Sequence, residues 1–163
     1  MTDKKENPRF YNRDKWPQGE WDNEPDEESW VDEKTGLQCA VVRNHAGALC
    51  GYVGVPNSSP HHGTKYDSIE IDGKEWGPDV HGGLTYSSEG EKSFLGEAMP
   101  DLPDGLWWLG FDCSHSGDVM PGMSELHSVV FGHASYKNLE YVKSEVASLA
   151  QQLAAPVACE GAA

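Results

Sequence analysis

From Tyr136 to Leu153 the residues Leu139, Val142, Val146, Leu149 and Leu153 recur at spacings of three and four, which gathers them on one stripe of an α-helix. Ser135 is the expected N-cap of that helix. A lone helix cannot bury its apolar stripe against itself, and the elements legible upstream of it are strand-length. The stripe therefore predicts an α+β fold in which an antiparallel or mixed β-sheet is covered by one long C-terminal amphipathic helix. After Pro156 the small residues offer nothing to bury, so residues 156–163 are expected to fray.

The strand-length runs follow one another with clear punctuation. Leu37 to Arg43 and Ala48 to Val55 are apolar and separated by Asn44-His45-Ala46-Gly47, which reads as a β-hairpin, and Pro56 ends its second strand. Tyr66 to Ile71 alternates weakly before the Asp72-Gly73 turn and is expected to be a short edge strand. Val80 to Tyr86 is a strand or a strand-to-loop junction, and Ser87 to Gly105, rich in glycine, proline and charge, is a loop or short helix. Leu106 to Phe111 is the most apolar run, and a strand buried on both faces is expected at the centre of a sheet. In it Trp107 and Trp108 must point to opposite faces.

At 163 residues the chain is one domain by length. Between Glu20 and Glu33 there are eight acidic residues and no basic one. This composition predicts a weakly ordered acidic arm over residues 1–29, ahead of a globular domain at 30–155. A formal net charge of −15 repels a phosphate backbone, so no nucleic-acid partner is expected. The four cysteines form no CxxC pair, no apolar run approaches the roughly 20 residues that span a bilayer, and no leader segment is legible. Reduced thiols in a cytoplasmic setting, with no membrane partner, are the expectation.

Two segments carry chemistry. Gly110-Phe111-Asp112-Cys113-Ser114-His115-Ser116-Gly117-Asp118 follows the apolar strand and sets His115 three residues from a carboxylate on either side. Asp79-Val80-His81-Gly82-Gly83-Leu84-Thr85-Tyr86 repeats the combination of Asp and His. Neutral imidazole is the commonest ligand of borderline metals and the usual base near neutral pH, and carboxylates supply ligands or orient the rings. The expected metal ligands are His81, His115 and Asp112, for Zn²⁺, Mn²⁺ or Fe²⁺. His115, Asp112 and Asp118 form the expected catalytic set. Taken singly, Asp79 and Asp118 also suit turn capping, and the spacing matches neither HExxH nor paired CxxC.

A ligand-binding set surrounds them: His62 in a loop that can close over a substrate, Tyr66 and Tyr86 to stack, Thr85 and Ser114 to hydrogen-bond, and Gly82 and Gly83 to leave backbone N–H groups open to an anion. Tyr52 and Trp76 are further stacking candidates. Cys113 with His115 two residues on is a weaker nucleophile-and-base pair.

The segments Leu49 to Pro56, Asp79 to Tyr86 and Gly110 to Asp118, backed by Tyr136 to Leu153, resemble a family of small proteins of bacteriophages, prophages and bacteria. The likeness covers roughly residues 30 to 154 and leaves out the acidic stretch. It implies an intracellular, often viral, setting, and that widens the options to include proteins that counter host defence. Two functions fit the residues: a metal-dependent hydrolase of a small polar, nucleotide-like molecule, or a binding protein that sequesters such a molecule without turning it over. A third, an interaction module acting through the acidic arm, uses none of the site.

Overall fold

The computed structural model describes residues 9–73, 77–123 and 134–154. Five strands form one antiparallel sheet: β1 (Glu27–Val31), β2 (Gln38–Arg43), β3 (Leu49–Val55), β4 (Tyr86–Glu89) and β5 (Trp107–Asp112), in the spatial order β1-β2-β3-β5-β4. Among the described residues two α-helices accompany them, the short α1 (Phe94–Ala98) and the long α2 (Leu139–Ala154). This is the α+β fold expected, with β2 and β3 forming the hairpin read at Leu37 to Val55.

Strand alternation divides the sheet into two cores. Cys39, Val41, Leu49, Val53, Val55, Leu109 and Phe111 face α2, whose Val142, Val146, Leu149 and Leu153 are buried against them. Fully burying such a side chain stabilises by about 1.5–3 kcal/mol, which lets a helix that is marginal alone persist. Gly51 leaves room for α2 on the sheet: a Cβ there would lie 2.5 Å from Val146 Cγ2 and from the Phe111 ring. On the opposite face Ala40, Val42, Cys50, Tyr52 and Trp108 are covered by Leu95 of α1 and by Met99. Trp108 belongs to this face and Trp107 packs on the other, as alternation requires.

Four expectations need correction. First, residues 9–29 are part of the fold, not a weakly ordered arm. Phe10 and Trp21 are buried, and β1 pairs along its length with β2. Glu24 and Asp26 meet the fully buried Arg43 of β2: Asp26 Oδ1 lies 2.8 Å from Arg43 Nε and Glu24 Oε1 3.4 Å from Arg43 Nη2. Composition suggests a weakly ordered arm because the cationic partner of the acidic run is 17 residues further along the chain, inside an apolar strand. Second, the N-cap of α2 is Asn138, whose Oδ1 accepts the Tyr141 N–H at 2.9 Å, while Glu24 Oε2 takes the Leu139 N–H at 2.6 Å; Ser135 lies a turn too early. Third, Tyr66–Ser68 is a 3-10 turn instead of an edge strand, tied to β4 by Tyr66 N–H to Ser87 Oγ. Fourth, β3 is central and β5 lies one strand in from the edge. The expected tail at 156–163 lies outside the described residues.

Candidate functional site

The antiparallel register of β4 with β5 explains why the two motifs meet. Tyr86 faces Gly110, and counting five residues back from the first and five forward from the second reaches His81 and His115. Thr85 N–H to Gly110 O at 2.9 Å carries the ladder past the end of β4. Beyond it each motif folds into a turn. Gly83 N–H bonds Val80 O at 2.8 Å, with Gly82 at φ +68 in the third position, which favours glycine. Asp118 N–H bonds His115 O at 2.9 Å, and the Asp118 carboxylate reaches back to the His115 N–H at 3.0 Å.

The turns bring the two imidazoles to 5.6 Å between ring centroids. Ligand atoms of His81, His115 and Asp118 all lie within 4.8 Å of one another. Asp118 Oδ2 is 2.8 Å from His81 Nε2, and Asp118 Oδ1 is 3.2 Å from Lys137 Nζ. Lys137 is brought in by a parallel bridge of Asp118 with Ser135, whose hydroxyl holds the ammonium at 2.6 Å. Asp118 is 1% exposed. Burial works against its charge, yet the hydrogen bonds from His81, the His115 amide and Lys137 outweigh that cost and hold its carboxyl below the usual carboxylate range. His81 Nδ1 is held in turn by the Tyr141 hydroxyl of α2 at 2.8 Å.

His115 Nε2 is a buried nitrogen with no hydrogen-bond partner among the described residues, 3.6 Å from Asp112 Oδ1. It fits against the bare Cα of Gly82, where a Cβ would come within 2.0 Å of it. Gly82 is thus required twice, by its φ and by this contact.

Asp112 is outside the trio, which corrects the expected metal set: Asp118 takes its place beside His81 and His115. The cause is local. Asp112 is the last residue of β5, and its carboxylate accepts the Ser114 N–H at 3.0 Å and the Thr85 hydroxyl at 2.9 Å. Ser114 is occupied as well, accepting a bond from the Asn44 amide of the β2–β3 loop at 2.9 Å. Tyr141 and Lys137 were missed by sequence reasoning, since nothing local links α2, or the residues just before it, to turns 20 to 60 residues away.

Of the ligand-binding set, Tyr66, Thr85 and Tyr86 converge on one open cleft of about 380 Å³, with Lys65, Ser87 and Trp107. Thr85 joins this cleft to Asp112 and so to the imidazole pair. His62 sits beside it, Nε2 3.1 Å from Gly105 O and its ring 6.1 Å from that of Trp107. The Gly83 N–H is spent on Val80 O and so is not open to an anion, which corrects that expectation, although nothing crowds its Cβ position among the described residues. Tyr52 is buried edge-on to Tyr86 in the second core, so it stacks no ligand. Trp76 lies outside the described residues. The Cys113 thiol is buried, and burial, with Asp118 next, pushes it far above the ordinary thiol range, which removes it as a nucleophile.

No family model matches the chain, and no curated protein or solved structure does either. Among the described residues no helix is long and apolar enough to cross a membrane.

Proposed function

We propose that the protein binds a divalent cation of the Zn²⁺, Mn²⁺ or Fe²⁺ type through His81, His115 and Asp118 and hydrolyses a small polar, nucleotide-like molecule. The observation that carries this reading is the trio itself: two imidazoles and a buried carboxylate with ligand atoms within 4.8 Å, drawn from two separate turns. Two histidines and one carboxylate leave coordination positions open, the arrangement of catalytic rather than structural sites. His81 also has its second nitrogen held, as ligating imidazoles usually do. A cation there would supply an activated water, with a pKa of about 7 in favourable sites. Asp112, half-exposed and held by Thr85 and Ser114, is the chain's base for that water, and Lys137 offers a positive charge beside Asp118.

The cleft supports the second reading, sequestration without turnover, since Tyr66 and Trp107 offer aromatic surface for a flat ring and Thr85 and Ser87 offer hydroxyls. That reading suits the viral, anti-defence setting implied by the resemblance. Metal-stripped protein, reloaded with Zn²⁺, Mn²⁺ or Fe²⁺ and offered p-nitrophenyl phosphate and a panel of nucleoside phosphates, separates the two. Turnover that needs the added cation and disappears in Asp118→Asn supports the hydrolase. Tight binding of a nucleotide with no turnover under any cation moves the assignment to sequestration.

A further inference from the structure

We infer that Tyr141, backed by Glu145, sets which nitrogen of His81 faces Asp118 and thereby positions His81 for the cation site, on which this inference rests. Tyr141 stands in the first turn of α2 with its ring 5.5 Å from that of His81 and at 90° to it, so the hydroxyl meets the imidazole edge. The hydroxyl lies 2.8 Å from His81 Nδ1 and 3.4 Å from Glu145 Oε1, one helical turn further on. It has one hydrogen, which can serve one of these partners at a time.

The proton positions follow from what each group can do. Asp118 is ionised and accepts only, so in the cation-free molecule the short His81 Nε2 to Asp118 contact places the imidazole proton on Nε2. In the neutral ring Nδ1 is then a bare acceptor, and the Tyr141 hydroxyl donates to it. A cation shared with Asp118 requires the Nε2 lone pair. The proton leaves Nε2 and an equal one is taken up at Nδ1, so the ring stays neutral and no net proton is gained or lost. Nδ1–H now needs an acceptor. Tyr141 can be that acceptor only if its own hydrogen turns elsewhere, and Glu145 Oε1 is placed to receive it. The pair works as a two-position support that fits both tautomers of one histidine.

Phenylalanine fits the same space and offers no oxygen. In metal-stripped full-length protein titrated with Zn²⁺ by calorimetry, Tyr141→Phe should bind about 10–100-fold more weakly than wild type, the loss usual for a group that orients a ligating histidine, and should melt close to wild type. Glu145→Ala should weaken binding in the same direction by a smaller factor. Long-range ¹H–¹⁵N spectra of the histidine rings give a readout that packing alone would not move: His81 protonated at Nε2 without Zn²⁺ and at Nδ1 with it. Zn²⁺ affinity unchanged in Tyr141→Phe, or a His81 already protonated at Nδ1 alone before Zn²⁺ is added, overturns the role of Tyr141. A wild-type chain that takes up no Zn²⁺ overturns the cation site itself, which is a separate result.

Discussion

Arg43 is fully buried, and its guanidinium reaches Asp26 Oδ1 at 2.8 Å, Gly47 O at 2.9 Å and the Tyr136 hydroxyl at 2.7 Å, with Glu24 at 3.4 Å. Removing one member of a buried ionic group strands the others, at a cost of about 3–5 kcal/mol. Arg43→Met should therefore lower the urea unfolding free energy by about that much, and a loss under about 1 kcal/mol would show that water solvates Asp26 and Glu24 in its place. Gly82 is the comparable residue at the site. Gly82→Ala forces both a positive φ on a residue with a Cβ and the His115 ring out of its place, so a folded variant should bind Zn²⁺ far more weakly than wild type. The cysteines make a third expectation. Burial pushes the Cys39 and Cys50 thiols up to about 12 and Cys113 higher still, so iodoacetamide at about pH 8 should label none of the three until the chain is unfolded. Labelling of Cys113 in folded protein would reopen it as a nucleophile.

The elements differ in how much of them could be read from residue order. α2, the β2–β3 hairpin and β5 were legible because each carries its own periodicity, and a period of 3.6 or 2 is a local property. The segment at 9–31 was not, because what orders it is non-local. Its carboxylates are matched by Arg43, its Glu24 takes an N–H at the start of α2, and Trp30 packs under Lys143 at 4.8 Å. Composition sees only a run of like charges. The trio shows the same limit on a smaller scale: both histidines were identifiable, yet the choice of Asp118 over Asp112 depends on how the turn after β5 bends back on itself. A weakly ordered arm would leave residues 1–28 dispensable for folding, whereas the structure leads to the opposite. Their deletion removes the Glu24 and Asp26 contacts and the first two residues of β1, and should lower the melting temperature by more than about 10 °C, several kcal/mol at this chain length. A shift of only a few degrees would show that the segment rides on a domain that does not need it.

At the scale of the whole molecule, the path from β3 out to the edge strand β4 and back to β5 sets the turn before β4 beside the turn after β5, and α2 closes over the pair. Fold and candidate site therefore share Asp118. Its carboxyl titrates below the value of an unfolded Asp, about 3.9, so its contribution to stability is present above that pH and is lost as the pH falls through the lower, folded value. The stability gap between wild type and Asp118→Asn in urea should be widest above about pH 5 and close on further acidification, and a gap independent of pH would contradict the hydrogen bonding described. The central claim is that His81, His115 and Asp118 hold a single cation, and calorimetric titration of metal-stripped protein with Zn²⁺ tests it most directly. Wild type should take up one Zn²⁺ per chain, while His81→Ala, His115→Ala and Asp118→Asn, each still folded, should each bind more than about 100-fold more weakly, beyond the loss expected for a merely orienting group. Stoichiometric Zn²⁺ binding that survives either histidine substitution, or a wild-type chain that takes up none, would contradict it.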